Sequence, residues 1–499
     1  MNSSGLFLAI DQSTSSTKAL LFTPNGKLLD QEMLSHGQIY PSAGWVEHDA
    51  EEIYQNTIKS VQALLDKNKG REKELLCLSI TNQRETFVLF DRETGQPLYN
   101  AIVWQCRRGD DICKQLVSEG NENIVHELTG LKIDTYFPAS KLRWLLVAHP
   151  DLRTRLKDGS ALFGTIDTYL IYRLTGGKVY ATDHTNASRT LFYDIEKMGW
   201  SQELCQIFGL EFDELPDVRE SSAWYGDTDL GGCLNRRIPI CGVMGDSQAA
   251  LFAQRCFATG GAKVTFGTGS SVLLNIGHEK RLSDNGGVTA LAWVLQGQPT
   301  YAFEGIINFT GATISWLRDQ LEMIADPAET EALAESVSDN DGVYLIPAFV
   351  GLSAPYWRAD ARAAILGMTP STTRAHVVRA ALESVGYIVT DVLKAMGEEA
   401  GVELSTIHAD GGAVRNAFLM QFVADMNQLN VRAAQTPELS ALGAVFSGCL
   451  GLKIYTSLDD LKNLPSGFTE YRSSMSHAHA SDLFAGWQAA VQQVLYQPK

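Results

Sequence analysis

The chain has 499 residues, of which 45% are apolar and 20% are charged. This length is too great for one compact core, so we expect an ordinary globular protein of two or three domains. The formal net charge of −17 disfavours nucleic acids and anionic membranes as partners, because both carry charge of the same sign. A small anion such as a nucleotide remains possible, since backbone N–H groups and a metal ion can bind phosphates locally.

Eight cysteines are scattered along the chain without a CxxC pair, and no apolar run reaches 18 residues. We expect reduced, mostly buried thiols, as is typical of a cytoplasmic protein. We expect neither a membrane span nor an export signal.

The first elements are predicted by LFLAIDQSTSSTKALLFTPNGKLLDQEML, which reads as three strands. A hydroxyl-rich turn separates the first two, and Asn25-Gly26 is a hairpin signal before the third. A similar hairpin, GGAKVTFGTGSSVLLNIG, recurs near the middle of the chain. Two such hairpins, one in each half, indicate a duplicated fold. We place the boundary at residue 255, giving domains 1–255 and 256–499.

Strand-like and helical segments alternate along the rest of the chain. ELLCLSITNQRETFVLF and LSTIHADGGAV are strand-like, whereas ISWLRDQLEMI, AHVVRAALESVGYIVTDVLKAM, RNAFLMQFVADMNQL and SHAHASDLFAGWQAAVQQVLYQ have helical periodicity. This mixture predicts an α/β fold.

The segment CGVMGDSQAALFAQ, Cys241 to Gln254, places one carboxylate between an apolar run and a helical pattern of small residues. Asp246 could cap the helix by accepting a backbone N–H of its first turn. It could instead be a general base, because the helix dipole favours a charged carboxylate at this end. Gly245 and Ser247 leave room for a ligand beside it, so both interpretations stay open.

The two hairpin turns, rich in Ser, Thr and Gly, are candidates for a triphosphate site. Either turn alone fits an ordinary solvated turn, but two opposed hairpins can surround phosphates with amides and hydroxyls. Asp11 ends the first apolar strand and could bind Mg²⁺, directly or through water. Lys18 could neutralise charge on a transferred group.

A third candidate is DGGAVRN, Asp410 to Asn416, where a Gly pair allows a flat ligand to approach the backbone closely. Gly-Gly also forms ordinary tight turns. The chain contains no GxxxxGK[ST] motif, and GTGSS lacks the third glycine of GxGxxG. A P-loop enzyme and a Rossmann dehydrogenase are therefore disfavoured.

These segments together resemble the FGGY carbohydrate kinases, and within that family the glycerol kinase branch. The resemblance extends from Asp11 to about Gly451. The segments that carry it are DQSTSSTK, GWVEHDAEEI, SITNQRETFVLFDRETGQPLYNAIVWQCRR, DTYFPASKLRWLL, GTIDTYLIYRLTGG, TDHTNASRT, GDSQAALFAQ, FGTGS, AFVGLSAPYWRADARAAILGMT and DGGAVRNAFLMQFVADM. The resemblance implies two actin/RNase-H-like domains, with ATP and a sugar or polyol meeting in the cleft between them.

The resemblance also implies roles for individual residues. Asp246 would be the catalytic base, and Asp11 and Asp246 would form the metal site for Mg²⁺. The residues implied at the nucleotide are Thr14, Ser15 and Lys18 on the first hairpin, Thr268 and Gly269 on the second, and Gly311, Gly411 and Asn416 around ADP. The residues implied at the polyol are Arg84, Glu85, Trp104, Tyr136, Asp246, Ser247 and Ser271. An assembly of two or four copies is expected.

Three positions depart from the glycerol kinase pattern. That pattern has Gly where this chain has Ser13, Gln at Ser247 and Phe at Ser271. Losing two large groups from one pocket opens space on the order of 100 Å³, about three to four waters, and removes an apolar wall. One hypothesis is therefore a four- or five-carbon polyol or ketose as acceptor, and the other is glycerol itself. Two further readings stay open, an actin-like ATPase without a sugar acceptor and a catalytically inactive regulatory homologue.

Overall fold

The computed structural model describes residues 5–284, 287–352, 354–358, 360–436 and 438–496. The strands of the first half are β1 (Leu6–Gln12), β2 (Ser16–Phe22), β3 (Leu28–Ser35), β4 (Glu47–His48), β5 (Leu75–Asn82), β6 (Phe87–Asp91), β7 (Ala101–Ile102), β8 (Ala161–Thr165), β9 (Ala181–Asp183), β10 (Tyr193–Asp194), β11 (Gly199–Trp200), β12 (Asp217–Arg219), β13 (Trp224–Thr228) and β14 (Ile238–Gly245). Its helices are α1 (Ala50–Lys67), α2 (Asp110–Ser118), α3 (Glu122–Thr129), α4 (Pro138–Ala148), α5 (Pro150–Lys157), α6 (Ile166–Leu174), α7 (His184–Ala187), α8 (Gln202–Ile207) and α9 (Asp246–Ala253).

The strands of the second half are β15 (Gly261–Phe266), β16 (Ser270–Gly277), β17 (Val288–Leu295), β18 (Gln298–Ile307), β19 (Tyr344–Ile346), β20 (Ala364–Leu366), β21 (Thr406–Gly411), β22 (Asn430–Ala434) and β23 (Phe468–Tyr471). Its helices are α10 (Gly311–Asp319), α11 (Glu329–Glu335), α12 (Arg374–Ala400), α13 (Ala417–Asn427), α14 (Leu439–Gly451), α15 (Leu458–Lys462) and α16 (His477–Leu495).

The two large sheets repeat one strand order, which confirms the predicted α/β duplication. The first runs β13-β14-β5-β1-β2-β3 and the second β17-β18-β16-β15-β21-β22-β23. In each, an antiparallel hairpin (β1–β2 or β15–β16) is followed across the sheet by two parallel strands and an antiparallel edge strand. The central strands β1 and β5 are almost continuously apolar and buried, as is typical of strands covered on both faces.

Helix α14 lies late in the chain but packs against α9 and β14 of the first half. Its small residues allow this, because a Cβ at Gly443 would overlap the carbonyl oxygen of Ala249. Phe7, Phe446 and Trp293 belong to one apolar cluster that joins the two halves. The proposed division of the chain at residue 255 stays a prediction.

Most predicted helices are present at their expected places. The segment ISWLRDQLEMI is the exception, because α10 ends at Asp319 and Glu322 has a left-handed backbone with φ of 53°. All eight cysteines are free, and all but Cys233 are buried. Across the described ranges, no helix is long and apolar enough to span a bilayer.

Candidate active site

Asp246 lies where β14 gives way to α9, at the mouth of two cavities. Gly245 is the residue that caps α9, so Asp246 is not the cap but the first helical residue. Its carboxylate accepts a hydrogen bond from the backbone N–H of Ser247 at 2.6 Å and lies 3.1 Å from Arg84 Nε. The side chain is 39% exposed, which leaves it open to a ligand on either side.

The first of these cavities, called here the Trp104 cavity, has a volume of about 490 Å³. Its lining residues include Thr14, Gln83, Arg84, Glu85, Trp104, Tyr136, Asp246, Ser247, Gly269, Ser271, Glu304 and Asn308. All seven residues predicted to bind the polyol therefore line this one cavity. The Oγ atom of Ser271 is buried and forms no hydrogen bond within the described part of the chain.

Four buried charges form a network behind the Trp104 cavity. Arg84 contacts Glu304 at 2.7 Å, and Arg189 contacts Glu85 and Glu304, each at 2.6 Å. Burial would raise the pKa of Glu304, but Arg189 and Arg84 outweigh it and lower that pKa to about 2. For Glu85, burial dominates and raises the pKa. Two positive and two negative groups thus compensate each other where water is excluded.

The network leaves part of Arg84 available to a ligand. Its Nε donor is buried, and it makes no hydrogen bond to any described residue despite its closeness to Asp246. Glu85 has a left-handed backbone with φ of 62°, which costs a side-chain-bearing residue on the order of 1–3 kcal/mol. In this conformation the Glu85 carboxylate pairs with Arg189 at 2.6 Å.

Two aromatic rings form a wall of the Trp104 cavity. The centroids of Trp104 and Tyr136 are 5.2 Å apart, and Trp104 Nε1 donates to Thr14 Oγ1 at 3.1 Å. Buried Lys141 donates to the backbone carbonyls of Val103, Trp104 and Tyr136 at 3.1–3.2 Å. One ammonium group therefore fixes the backbone behind both rings.

The second cavity, called here the Asp11 cavity, has a volume of about 900 Å³ and is lined by Asp11, Lys18, Asp246, Gly411 and Glu438 among others. Lys18 donates to both carboxylate oxygens of Glu438, at 2.6 and 2.7 Å. Burial raises the pKa of Asp11 to about 7, opposed by Lys18 and reinforced by Glu438 and Asp246. Asp11 is thus a buried carboxylate that lacks sufficient compensating charge.

This donor set fits Mg²⁺ bound together with phosphate. Among the described residues, no group of three or more His, Cys, Asp or Glu side chains is arranged to bind a metal alone. Mg²⁺ in nucleotide sites typically takes one or two carboxylates and completes its shell with phosphate oxygens and water. Asp11 and Asp246 in one cavity match that requirement.

A third cavity, the Asn416 cavity, has a volume of about 740 Å³ and is lined by Thr268, Gly311 and Asn416 among others. Thr310 N donates to Thr268 O at 3.1 Å and Gly311 N to Gly267 O at 3.0 Å, which joins the β15–β16 turn to the start of α10. A Cβ at Gly311 would lie 2.5 Å from Gly267 O, so only glycine allows this approach. Asn416 caps α13 and donates to Thr330 Oγ1 at 3.1 Å.

Of the remaining residues predicted at the nucleotide, Thr14 lines the Trp104 cavity, whereas Ser15 lines none of the three cavities. Gly269 lines the Trp104 cavity and Gly411 the Asp11 cavity. Ser15 is exposed at the tip of the β1–β2 hairpin.

Sequence reasoning missed Glu304, Arg189 and Glu438. A signal existed for Glu304, because it is one charge within the apolar run YAFEGII, now strand β18. Arg189 lies in TDHTNASRT, a segment in which the family resemblance assigns this residue no role. No sequence motif marks Glu438, because its role depends on its ion pair with Lys18, which is distant in the sequence.

The duplicated α/β halves, with two cavities meeting at the Asp246 carboxylate and a third beside the second hairpin, define a phosphotransferase of the sugar kinase fold. Sequence models of the FGGY family of carbohydrate kinases match the chain, the N-terminal domain over residues 6–253 and the C-terminal domain over residues 262–452. The chain therefore belongs to the FGGY family of carbohydrate kinases, enzymes that transfer a phosphoryl group to an alcohol.

Several relatives support this membership. Glycerol kinase 1 of Thermotoga maritima is 44% identical over 488 residues, covering 98% of this chain and 99% of that protein. A glycerol kinase of Xanthomonas campestris pv. campestris is 44% identical over 485 residues, 97% of each. Plasmodium falciparum glycerol kinase, solved with ADP, superposes with a TM-score of 0.94 at 35% identity over 99% of both chains. A xylulose kinase from Lactobacillus acidophilus has a TM-score of 0.87 at 18% identity over 99% of both chains, which shows the shared fold alone.

Proposed function

We propose that this chain transfers the γ-phosphoryl group of ATP to a terminal hydroxyl of glycerol or of a slightly larger polyol or ketose. The observation that carries the proposal is the position of Asp246, which lines both the Trp104 cavity and the Asp11 cavity. The relatives named glycerol kinase, and the ADP bound to the one from Plasmodium falciparum, support the choice of substrates.

In this mechanism Asp246 is the general base. The acceptor hydroxyl lies in the Trp104 cavity and forms a bond to the γ-phosphorus as the bond to the bridging oxygen of ADP breaks; its proton passes to the Asp246 carboxylate. Arg84, at 3.1 Å, and the N-terminus of α9 place positive potential beside that carboxylate. The buried Arg84 Nε donor would bind an acceptor oxygen.

The nucleotide would span the other two cavities. The base and ribose would occupy the Asn416 cavity, and the phosphates would pass between the two hairpins toward Lys18. The first N–H groups of α10 already donate to backbone carbonyls, among them those of Gly267 and Thr268, so α10 would act by holding the β15–β16 turn in place. Lys18 would exchange Glu438 for phosphate oxygens.

Asp11 and Asp246 would bind Mg²⁺, whose charge would offset that of the phosphates. The uncompensated Asp11 carboxylate supports this assignment.

The acceptor preference concerns Ser247 and Ser271. Both line the Trp104 cavity, and the Ser271 Oγ atom has no partner among the described residues. A buried hydroxyl without a partner costs about 1–3 kcal/mol, which an additional acceptor hydroxyl would offset. This favours a four- or five-carbon polyol or ketose over glycerol.

A substrate panel tests this choice. We would measure kcat/KM for glycerol, erythritol, threitol, ribitol and the ketopentoses in the wild type and in Ser271→Phe. The expected optimum is a four- or five-carbon acceptor, with the preference moving toward glycerol in Ser271→Phe. A wild-type kcat/KM for glycerol at least tenfold above every other acceptor would refute the larger acceptor but leave the kinase proposal intact.

Two alternatives predict a different dependence on acceptor. An actin-like ATPase would hydrolyse ATP at the same rate with and without polyol, and an inactive homologue would turn over neither substrate. The assembly of Arg84, Glu85, Trp104 and Tyr136 around one cavity argues against both. Action in the cytoplasm and assembly into two or four copies stay predictions; the eight free thiols favour a reducing compartment.

A further inference from the structure

A fourth cavity, called here the junction cavity, lies where the two halves of the chain meet. It has a volume of about 280 Å³ and is lined by residues from the end of α9, from β21 and β22, from α14 and from the segment 462–468. Gln254 and Arg255 belong to the short segment between the parts matched by the two family models, 6–253 and 262–452. The site already described uses none of its basic residues.

The lining of the junction cavity is basic in a strongly acidic protein. Arg255, His408, Arg432 and Lys462 line it, and none of its described lining residues is Asp or Glu. The chain as a whole carries a net charge of −17. Such a local concentration of positive charge attracts anions against the overall field.

Several donors in the cavity are held in place without an anionic partner. Arg255 donates to the carbonyls of Leu464 at 2.5 Å and Pro465 at 3.1 Å, while its Nε is buried and makes no hydrogen bond in the described ranges. Among the described residues, no carboxylate forms an ion pair with Arg255, His408 or Lys462. Burial, Arg432 and Arg255 lower the pKa of His408 to about 4, as expected where positive charge is not compensated.

The positive charge of Arg432 is also only partly compensated. Its guanidinium lies 4.8 Å from the centroid of the Phe468 ring and 3.5 Å from the Glu470 carboxylate. Arg472 lies closer to the same carboxylate, at 2.9 Å. The single negative charge of Glu470 is thus shared by two Arg residues, and a bound anion would compensate the remaining positive charge.

The junction cavity connects directly to the Asp11 cavity. The Gln254 side-chain amide donates to the Asp410 carboxylate. Gln254 lines the junction cavity and Asp410 lines the Asp11 cavity. Ala434, Thr436 and Leu439 line both, so the two cavities lie back to back.

We propose that the junction cavity binds a small phosphate monoester, and that its occupancy is coupled to nucleotide binding through Gln254 and Asp410. The volume equals roughly nine water molecules at about 30 Å³ each, which suits a phosphate on a chain of about three carbons. Arg432, His408 and Lys462 supply the charged and polar donors that recognise phosphate. The ligand contacts both halves of the chain, so it can favour one relative arrangement of them.

The test is calorimetric titration of the whole protein with 3-phosphoglycerate, with and without saturating ADP. The expected Kd is below about 1 mM, and Arg432→Gln weakens it at least tenfold. The control Arg472→Gln shares Glu470, but its side chain is 76% exposed and lies outside the cavity lining; it should change Kd less than twofold. Lys462→Gln, at the exposed rim, is a second variant in case Arg432→Gln is unstable.

Coupling is measured as the change in the Kd of ADP caused by saturating 3-phosphoglycerate, expected to be at least threefold. Absence of 3-phosphoglycerate binding, or equal weakening by Arg432→Gln and Arg472→Gln, overturns the site. An unchanged Kd for ADP overturns the coupling. Failure of ADP itself to bind would instead contradict the kinase proposal, so the two failures are distinguishable.

Discussion

Replacing Glu304 by Gln should destabilise the fold strongly, because the residue compensates two buried cations. Its carboxylate lies 2.7 Å from Arg84 and 2.6 Å from Arg189, and all three side chains are at most 5% exposed. Gln preserves the shape but removes the charge, so the two guanidinium groups keep Glu85 as a buried counter-charge, while Asp246, 3.1 Å from Arg84 Nε, is 39% exposed. Leaving one buried charge uncompensated costs about 3–5 kcal/mol, which is the loss expected in the free energy of unfolding at pH 7.

The assay is urea unfolding followed by fluorescence of the nine tryptophans. The matched control is Glu214→Gln, which breaks an exposed ion pair with Arg92 and should cost less than about 1 kcal/mol. Because the folded pKa of Glu304 is lowered to about 2 from 4.5, its stabilisation is present above pH 4.5 and disappears as the pH falls toward 2. A loss below 1 kcal/mol at pH 7 would refute the compensated network.

Three further predictions follow from the same structure. Lys141→Met removes the hydrogen bonds to the backbone carbonyls of Trp104 and Tyr136. KM for the acceptor should therefore rise about tenfold or more, while KM for ATP changes less than threefold. Equal increases in both KM values would contradict this prediction. Burial lowers the pKa of Lys141 to about 7 from 10.5. The free energy of unfolding of the wild type, relative to that of Lys141→Met, should therefore rise with pH between 7 and 10.5, by at most about 1.4 kcal/mol per pH unit. Urea unfolding of both proteins at pH 7 and 9 measures this difference, and a smaller difference at pH 9 than at pH 7 would contradict the prediction. Gly311→Ala places a Cβ 2.5 Å from Gly267 O, so KM for ATP should increase at least tenfold. The control Gly199→Ala places a Cβ no closer than 4.0 Å to Lys197 O and should leave KM unchanged; an ATP KM unaffected by Gly311→Ala would place the nucleotide elsewhere.

Features set by local sequence could be predicted. The hairpins around Ser13–Ser15 and Gly267–Gly269, the duplication, and Asp246 at a strand-to-helix junction all follow from short-range patterns. The resemblance to a family then predicted a shared substrate site for Arg84, Trp104 and Ser271, and in the structure all three line one cavity.

Features set by long-range pairing could not be predicted. Arg189 and Glu304 are far apart in the chain, and an isolated charge does not indicate which partner will compensate it. Lys141 looks like an ordinary surface residue in KLRWLL, yet the first turn of α4 buries it against three carbonyls. The early end of α10 depends on the left-handed residue Glu322, whose conformation the periodicity does not indicate.

The most direct test of the account is the turnover of Asp246→Asn. Asn keeps the size of the side chain and can still accept from Ser247 N, but it cannot take the proton of the acceptor hydroxyl. If Asp246 is the base, kcat falls by roughly 10²–10⁴, and the Kd of ADP measured without Mg²⁺ stays within about threefold of wild type. Near-normal turnover in this variant, with the same acceptor dependence, would contradict the assignment of Asp246 as the base.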